Sequence, residues 1–208
     1  MSAQEPAIHP SADVSAEAAI GTGSKIWHLA QVREQAVLGQ NVIVGRGAYV
    51  GIGVRVGDNC KIQNHALVYE PAALAEGVFV GPAAVLTNDH NPRAVNPDGT
   101  QKSASDWEAV GVTLKQGCSI GAHATCVAPV VVGRWAMVAA GAVVTHDVPD
   151  HALVAGVPAR RIGWVGRGGD LLVAESGGVW RDPVSGETYR ETNETLVGPD
   201  TVQEQAGS

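Results

Sequence analysis

Residues 38–62 read LGQNVIVGRGAYVGIGVRVGDNCKI, and an aliphatic side chain returns in this stretch at every sixth position. The aliphatic residues Leu38, Val44, Val50 and Val56 are each followed directly by glycine. A branched residue pointing inward, with a small residue after it to relieve crowding near a corner, explains this pairing. The stretch therefore predicts a structural unit of six residues that repeats along the chain.

The same period extends in both directions. Counting by sixes from the N-terminal side gives fourteen successive aliphatic residues: Ile8, Val14, Ile20, Ile26, Val32, Leu38, Val44, Val50, Val56, Ile62, Val68, Leu74, Val80 and Leu86. Val, Ile and Leu make up 49 of the 208 residues, so chance would produce such a run on the order of once in a billion trials. After an interruption the pattern resumes at Leu114, Ile120, Cys126, Val132, Val138 and Val144. These twenty hexads predict stacked coils with one shared core.

Composition limits the kind of core and the kind of partner. Only 4% of the residues are Phe, Trp or Tyr while 26 are glycine, so the core is expected to consist of small and branched aliphatic side chains. The net charge of −7 is uneven, because residues 1–167 carry 13 acidic and 12 basic residues and residues 168–208 carry 8 and 2. An extended basic stripe is missing, so no nucleic-acid partner is expected.

The cysteines and the N-terminal segment bear on the cellular compartment. Cys60, Cys118 and Cys126 have neither an even count nor metal-ligand spacing, which favours buried reduced thiols over disulfides. The first thirty residues contain no basic start followed by an apolar run, and no stretch approaches membrane-spanning length. We therefore expect a cytoplasmic protein that has no membrane partner.

The interruption of the hexads predicts a long loop. Residues 1–148 are expected to form the coils, with residues 87–113 extruded because they carry no hexad pattern. Connections beyond about 12 to 15 residues are uncommon unless they are functional or disordered. The loop is therefore a candidate part of a functional site, the alternative being a tolerated surface insertion.

The C-terminal part is predicted to leave the coils after the final hexad. Residues 149–167 are expected to cap them, because Pro149 and Pro158 block continued strand pairing. Residues 168–208 form an acidic tail with one possible hairpin within residues 179–190.

A six-residue repeat with one inward aliphatic side chain resembles the hexapeptide-repeat proteins, in which three hexads form one triangular coil of short parallel strands. This resemblance implies an all-β fold, a left-handed parallel β-helix of about six to seven coils. The left hand comes from the resemblance alone, since parallel crossovers are right-handed in about 98% of cases. The resemblance also implies a homotrimer with active sites between subunits.

The segment VAAGAVVTHDVPDHALVAGVPARRIG, residues 138–163, resembles the terminal signature of hexapeptide acyltransferases. The resemblance implies acetyl coenzyme A (acetyl-CoA) as co-substrate and no metal. It gives two groups of cofactor contacts: Ala139, Ala140 and Gly141 along the pantetheine arm, and Arg160 and Arg161 near the phosphates, which a guanidinium binds well. The alternative is that the small residues only pack the coil and that the arginines are solvated.

Three further stretches resemble the bacterial nucleotide-sugar 3-N-acetyltransferases. They are KIWHLAQV (residues 25–32), KIQNHALVYE (61–70) and FVGPAAVLTND (79–89), followed by Asn91-Pro92-Arg93. The likeness is greatest to enzymes that acetylate UDP-2-acetamido-3-amino-2,3-dideoxy-D-glucuronate, and next to the dTDP-3-amino-3,6-dideoxyhexose enzymes. Such enzymes supply precursors of lipopolysaccharide and other cell-surface polysaccharides. A hexapeptide O-acetyltransferase is a further alternative.

This second resemblance implies a site at the base of the loop. It assigns Asn88 and Asp89 as the catalytic residues around the sugar amine and Glu70 to the sugar. Glu70 and Asn88 are separated by three hexads, one complete coil, so stacked coils place them on one face independently of the resemblance. The amine should titrate near 7.7 to 8.0 and the leaving thiol near 8.5. Orientation alone is therefore expected to lower the activation barrier by ~7 kcal/mol or more.

Several other side chains are predicted to contact the substrate: His65, His90, Arg93 and His28. The usual alternative in this superfamily is a histidine general base, for which His65 and His90 are the candidates.

Two other functions are weighed against acyl transfer. A zinc enzyme of the carbonic-anhydrase type needs three converging histidines, and His146 and His151 have a suitable separation. However, Pro149 lies between them, and the interval from His123 to His146 is close to four hexads rather than the three that make one coil. A non-catalytic scaffold is disfavoured by the complete closing motif and the loop.

Overall fold

The structure, a computed structural model, describes residues 4–198, so residues 1–3 of the predicted coils and 199–208 of the predicted tail lie outside it. Twenty short strands follow the hexads: β1 (Ala7–Ile8), β2 (Asp13–Val14), β3 (Ala19–Ile20), β4 (Lys25–Ile26), β5 (Gln31–Val32), β6 (Val37–Leu38), β7 (Ile43–Val44), β8 (Tyr49–Val50), β9 (Arg55–Val56), β10 (Lys61–Ile62), β11 (Leu67–Val68), β12 (Ala73–Leu74), β13 (Phe79–Val80), β14 (Val85–Leu86), β15 (Val112–Leu114), β16 (Ser119–Ile120), β17 (Thr125–Cys126), β18 (Val130–Val132), β19 (Met137–Val138) and β20 (Val143–Val144). The remaining elements are β21 (Ala152–Ala155), β22 (Arg160–Trp164), β23 (Val173–Ala174), a 3-10 helix (Ser176–Gly178), β24 (Val179–Arg181), β25 (Thr188–Thr192) and β26 (Thr195–Val197). Within residues 4–198, no helix is long and apolar enough to cross a bilayer.

Parallel pairing of every third strand produces the three faces of a triangular prism. Face A contains β1, β4, β7, β10, β13, β16 and β19, face B contains β2, β5, β8, β11, β14, β17 and β20, and face C contains β3, β6, β9, β12, β15 and β18. Partners in successive coils are separated by three hexads, as for Ile62 with Val44 and Val80. The fold is thus the predicted left-handed parallel β-helix, and the fold class is confirmed.

Each hexad supplies two inward side chains to the core rather than one. The aliphatic residue that ends each strand is buried from Ile26 onward, whereas Ile8 in the first coil is 43% exposed. A second buried position lies two residues earlier, as expected for local strand alternation. It holds mostly small residues: Ser24, Ala30, Ala36, Val42, Ala48, Val54, Cys60, Ala66, Ala72, Val78 and Ala84. Small and branched side chains therefore fill the narrow interior.

The glycine after the aliphatic residue is required by the coil that follows. A Cβ added to Gly45 would lie 2.6 Å from the backbone nitrogen of Asn64, and one added to Gly121 would lie 2.5 Å from that of Ala140. Both contacts are shorter than van der Waals distance, so any larger residue would push the next coil away. The predicted crowding at the corners is confirmed at these positions.

The long loop is an insertion between two coils. Leu74 pairs with Leu114 and Leu86 pairs with Cys126, so each of these pairs is separated by the inserted residues in addition to the usual three hexads. The faces continue in register on both sides of the insertion. The loop therefore changes one corner of the prism and leaves the core continuous.

The coils continue beyond Val144, where the sequence predicted that the chain leaves them. Strand β21 extends face A by pairing in parallel with β19, and β22 turns back antiparallel on β21. Pro149 does not block this pairing, because it lies in a turn beside Gly133 and not in a strand. Face A thus has eight parallel strands, which gives about eight coils rather than six or seven.

The C-terminal segment forms a small antiparallel sheet in the order β23, β24, β25, β26. Its central hairpin pairs Val179 with Arg190. The ring of Tyr189 meets the ring of His151 at the end of the prism, with centroids 5.0 Å apart. Tyr189 and Leu196 belong to the same buried cluster as the coil core, so this sheet extends the core beyond the last coil.

The three cysteines are free and buried. Burial raises the pKa of the Cys60 thiol to about 11 and that of Cys126 to about 12. A thiol that stays protonated is a poor nucleophile and a poor metal ligand. The expected burial of the three side chains is confirmed, and they serve packing.

Candidate functional site

The functional side chains lie in columns of turn residues at the corners of the prism. The A–B corner joins faces A and B and consists of residues 9–11, 27–29, 45–47, 63–65, 81–83, 121–123 and 139–141. The B–C corner consists of residues 15–17, 33–35, 51–53, 69–71, 87–88, 127–129 and 145–147. The long loop leaves from the B–C corner. The two corners are therefore the two edges of face B.

Glu70 and Asn88 occupy equivalent positions of adjacent coils on the B–C corner. Their preceding strands β11 and β14 pair in register, so each residue follows its strand by two positions. The Glu70 carboxylate lies over Gly51, where an added Cβ would overlap Oε2. That oxygen is buried and has no hydrogen-bond partner within residues 4–198. A buried unpaired oxygen costs about 1 to 3 kcal/mol, and such an exception in a native fold marks the Glu70 carboxylate as a candidate functional group.

Asn88 and Asp89 hold the base of the loop. The carbonyl oxygen of Asn88 accepts a hydrogen bond from the Val110 amide at 3.0 Å, which joins the departing chain to the returning one. Asp89 Oδ1 accepts a hydrogen bond from the amide of Asn91 at 2.8 Å. Both side chains are half-buried. The loop thus starts and ends beside Glu70.

Two predicted substrate contacts lie on the loop just after its base. His90 and Arg93 are exposed, and Arg93 Nη1 donates to the carbonyl oxygen of Pro92 at 2.9 Å. Their place in the chain keeps them near the B–C corner. The structure therefore brings Glu70, Asn88 and Asp89 together, with these two residues at the margin.

His28 and His65 lie on the other edge of face B. The His65 ring packs beside Gly47, and the His28 ring stacks on His9 with centroids 3.5 Å apart. His65 precedes Glu70 by five residues of mostly extended chain, which span on the order of 16 Å. Within one chain, His65 is therefore not close to the Glu70 carboxylate.

The predicted pantetheine contacts also lie on the A–B corner. Ala139, Ala140 and Gly141 have no side-chain atom beyond Cβ, and Ala140 and Gly141 are exposed. Nothing lies within 4 Å of the position of a Cβ on Gly141. This corner therefore presents bare backbone along the last coils, where a narrow flexible chain could lie.

The two arginines of the closing motif have different surroundings. Arg161 lies over the ring of Trp164, 4.2 Å from its centroid, and its Nη1 is 3.4 Å from Glu191 Oε1 of the C-terminal sheet. Arg160 is exposed, and its Nη1 donates to the carbonyl oxygen of Ala159 at 2.8 Å. Both line a cavity of about 310 Å³ beside His146. Arg160 is thus the less constrained of the two for binding a phosphate.

The zinc alternative does not fit the geometry. His123 lies on the A–B corner and His146 on the B–C corner, while His151 is buried at the third corner, between faces C and A. Three histidines at three corners of the prism do not converge on one metal ion.

One group of side chains beside Glu70 was missed by the sequence reasoning. The rings of Tyr49 and Tyr69 have centroids 5.1 Å apart, and Arg33 Nε forms an ion pair with Glu34 Oε2 at 2.8 Å. Burial, followed by the charge of Glu70, raises the pKa of the Tyr49 hydroxyl. The sequence spacing could have indicated this group, because Arg33 and Tyr69 are separated by six hexads, which make two complete coils.

Comparison with known proteins identifies the repeat. The family model described as "Hexapeptide repeat of succinyl-transferase" matches residues 35–69 and 111–146. Serine acetyltransferase of Escherichia coli (strain K12) is 41% identical over 90 residues, which are 43% of this chain and 32% of that protein. The dTDP-3-amino-3,6-dideoxy-alpha-D-galactopyranose 3-N-acetyltransferase of Aneurinibacillus thermoaerophilus is 52% identical over 59 residues, 28% of this chain and 31% of that protein. The chain thus spans about a third of the length of both relatives.

A solved structure agrees on the fold. A hexapeptide-repeat-containing acetyltransferase from Vibrio cholerae O1 biovar eltor, crystallised with acetyl-CoA, superimposes with a TM-score of 0.51 at 22% identity. The match covers 62% of this chain and 70% of that protein. Repeat, register and superposition agree: the chain carries the hexapeptide repeat over residues 35–69 and 111–146, and it folds as a left-handed parallel β-helix.

Proposed function

We propose that this protein is an acetyl-CoA-dependent N-acetyltransferase that acts on the 3-amino group of a nucleotide-linked amino sugar. The observation that most supports this proposal is the unpaired buried oxygen of Glu70, which lies one coil from Asn88 at the base of the loop. The relative from Aneurinibacillus thermoaerophilus, whose name specifies a 3-N-acetyltransferase of a dTDP-linked amino sugar, supports the substrate class. The protein would work in the cytoplasm on precursors of cell-surface polysaccharide.

In this proposal the site acts by placement. Asn88 and Asp89 hydrogen-bond the sugar amine and orient it, while Glu70 accepts a hydrogen bond from the sugar. The amine nitrogen forms its bond to the thioester carbonyl carbon as the carbon–sulfur bond breaks. The thiolate that leaves takes the proton released by the nitrogen. A free amine near pKa 7.7 to 8.0 needs no strong base at neutral pH, so neither His65 nor His90 is required as one.

The thioester would be held on bare backbone at the A–B corner. The small side chains of Ala139 and Ala140 leave room for a pantetheine arm, and Arg160 can reach its phosphates. The acetyl-CoA bound by the Vibrio cholerae protein is consistent with this assignment.

The position of the two groups of residues favours a homotrimer. The amine-binding residues and the small residues lie on opposite edges of face B. In a ring of three copies, each protomer contacts the next through two different surfaces, so one edge can meet the other edge of a neighbour. The outer side chains of face B in its C-terminal half suit a contact surface, being half-buried and mostly apolar: Leu67, Val85, Thr125 and Val143.

A substrate panel tests the proposed function. The full chain with acetyl-CoA is incubated with UDP- and dTDP-linked 3-amino sugars, and thiol release is measured. Matched sugars with a 3-hydroxyl group, and L-serine, are the controls. We expect thiol release with at least one 3-amino sugar and none with the hydroxyl compounds. Turnover of a 3-hydroxy sugar or of serine, with none of an amino sugar, would show an O-acetyltransferase instead.

A further inference from the structure

The B–C corner and the adjoining part of face B carry a polar and aromatic surface on the N-terminal side of Glu70. Tyr69 directly precedes Glu70, and the ring of Tyr49 one coil earlier is tilted 47° to the Tyr69 ring at 5.1 Å. Arg33 lies one coil further toward the N-terminus and interacts with the Tyr49 hydroxyl. Tyr49 and Tyr69 are half-buried, while the Arg33 side chain is 35% exposed. Arg33 and Tyr69 thus share the B–C corner with Glu70, whose Oε2 is buried, and Tyr49 adjoins them from strand β8 of face B.

The order of the groups along the prism indicates which part of a substrate this surface would contact. Ala139 and Ala140 lie two coils on the C-terminal side of Asn88, whereas Arg33 lies two coils on the N-terminal side of Glu70. Neighbouring parallel strands are about 4.8 Å apart, so Arg33 lies about 10 Å from the level of Glu70. The thioester approaches the amine from one end of the column. The other end is left for the remainder of the substrate.

We propose that Arg33, Tyr49 and Tyr69 form the subsite for the nucleoside diphosphate of the sugar substrate. This inference rests on the proposed function, since it extends the same substrate away from the amine. The diphosphate leaves the sugar ring at the anomeric carbon, two ring positions from the 3-amino group. With the amine at Asn88, a chain of ring, two phosphates and nucleoside runs toward the N-terminal coils.

The chemistry of the three side chains suits the parts of this ligand. Arg33 donates through Nε to Glu34, and its two Nη groups form the fork that binds phosphate oxygens well. The tilted pair of tyrosines forms a wedge of half-buried aromatic surface. Such a surface stacks on the flat face of a pyrimidine base. Glu34 holds the guanidinium in place without using its fork.

Equilibrium binding of UDP and dTDP to the full chain tests the inference. We expect Arg33→Ala to weaken binding of the preferred nucleotide by about 10- to 100-fold, because a charged hydrogen bond is lost. Tyr49→Leu should weaken it by about tenfold through loss of stacking. Arg33→Lys, which keeps the charge but not the fork, should fall between Arg33→Ala and the unmodified chain. The KM for acetyl-CoA should not change in any of the three.

Arg55→Ala is the matched control, because Arg55 is exposed on face C, away from this corner. Asn88→Ala should bind the nucleotide as the unmodified chain does. If Arg33→Ala, folded by thermal melting, binds nucleotide as tightly as Arg55→Ala, the subsite is not here, while the proposed function stands. If Arg33→Ala does not fold, unchanged binding by both Arg33→Lys and Tyr49→Leu overturns the subsite. If the unmodified chain neither binds UDP or dTDP nor acetylates an amino sugar, the proposed function itself fails.

Discussion

Replacing Asn88 by alanine is expected to lower kcat for the amino sugar by about 100-fold or more. A correctly oriented amine reacts with a high effective molarity, and most of this advantage is lost when the amine is misplaced. The side chain is proposed to orient the amine, whereas the loop is held by the backbone carbonyl of Asn88, which alanine keeps. Folding, nucleotide binding and the KM for acetyl-CoA should therefore change little. Steady-state kinetics in which the concentrations of both substrates are varied measure kcat separately from the KM for acetyl-CoA.

His90→Asn is the control for this experiment, because His90 is exposed and follows the same loop base. We expect it to retain turnover within a few-fold. A His90→Asn variant that binds both substrates but loses all activity would establish a histidine base and overturn the placement mechanism. Unchanged turnover in Asn88→Ala would remove that residue from the site.

Ile120→Ala is expected to lower the free energy of unfolding by about 2 to 5 kcal/mol, the range for an isoleucine removed from a packed core. Ile120 is 0% exposed and pairs with Val80 and Val138 in the coils on either side. The prism interior is narrow, and the rigid backbone of the neighbouring coils limits collapse around the cavity. Chemical denaturation followed by circular dichroism measures the change.

The matched control is Ile162→Ala, in which the same atoms are removed from a side chain that is 64% exposed. Its effect should stay within about 0.5 kcal/mol. Equal losses in the two variants would mean that the hexad residues do not form the core that stabilises the chain.

The hexad period predicted the fold because one inward aliphatic residue per six is visible in the sequence without any alignment. The second inward position was missed, since Ala66 or Ala84 in a sequence gives no sign of burial by itself. The eighth coil was missed for a different reason. Pro149 was interpreted as a strand breaker, but a proline in a corner turn leaves the strand amides free to pair. Pro158 lies in the turn between β21 and β22, where the parallel coils do end.

The candidate site was predictable only where coil spacing fixed it. Glu70 and Asn88 are one coil apart, so the register joined them as expected. His65 is near Glu70 in the sequence but lies across face B, because a short strand separates the two corners. The grouping of Arg33, Tyr49 and Tyr69 became visible only after the register of face B and of the B–C corner was known. The assigned roles of all these residues stay predictions.

Subunit complementation tests most directly whether the proposed acetyl-transfer site combines the two edges of face B from neighbouring copies. Asn88→Ala alters one edge, and Ala140→Trp fills the bare backbone at the other, where Ala140 is exposed. Each variant alone should be nearly inactive. In trimers assembled at random from equal amounts of both variants, a site is intact only where an Ala140→Trp protomer supplies the Asn88 edge and its neighbour, an Asn88→Ala protomer, supplies the Ala140 edge. This combination arises at about a quarter of the sites. We therefore predict about a quarter of the unmodified activity, whereas mixed trimers that remain inactive would contradict a site shared between subunits.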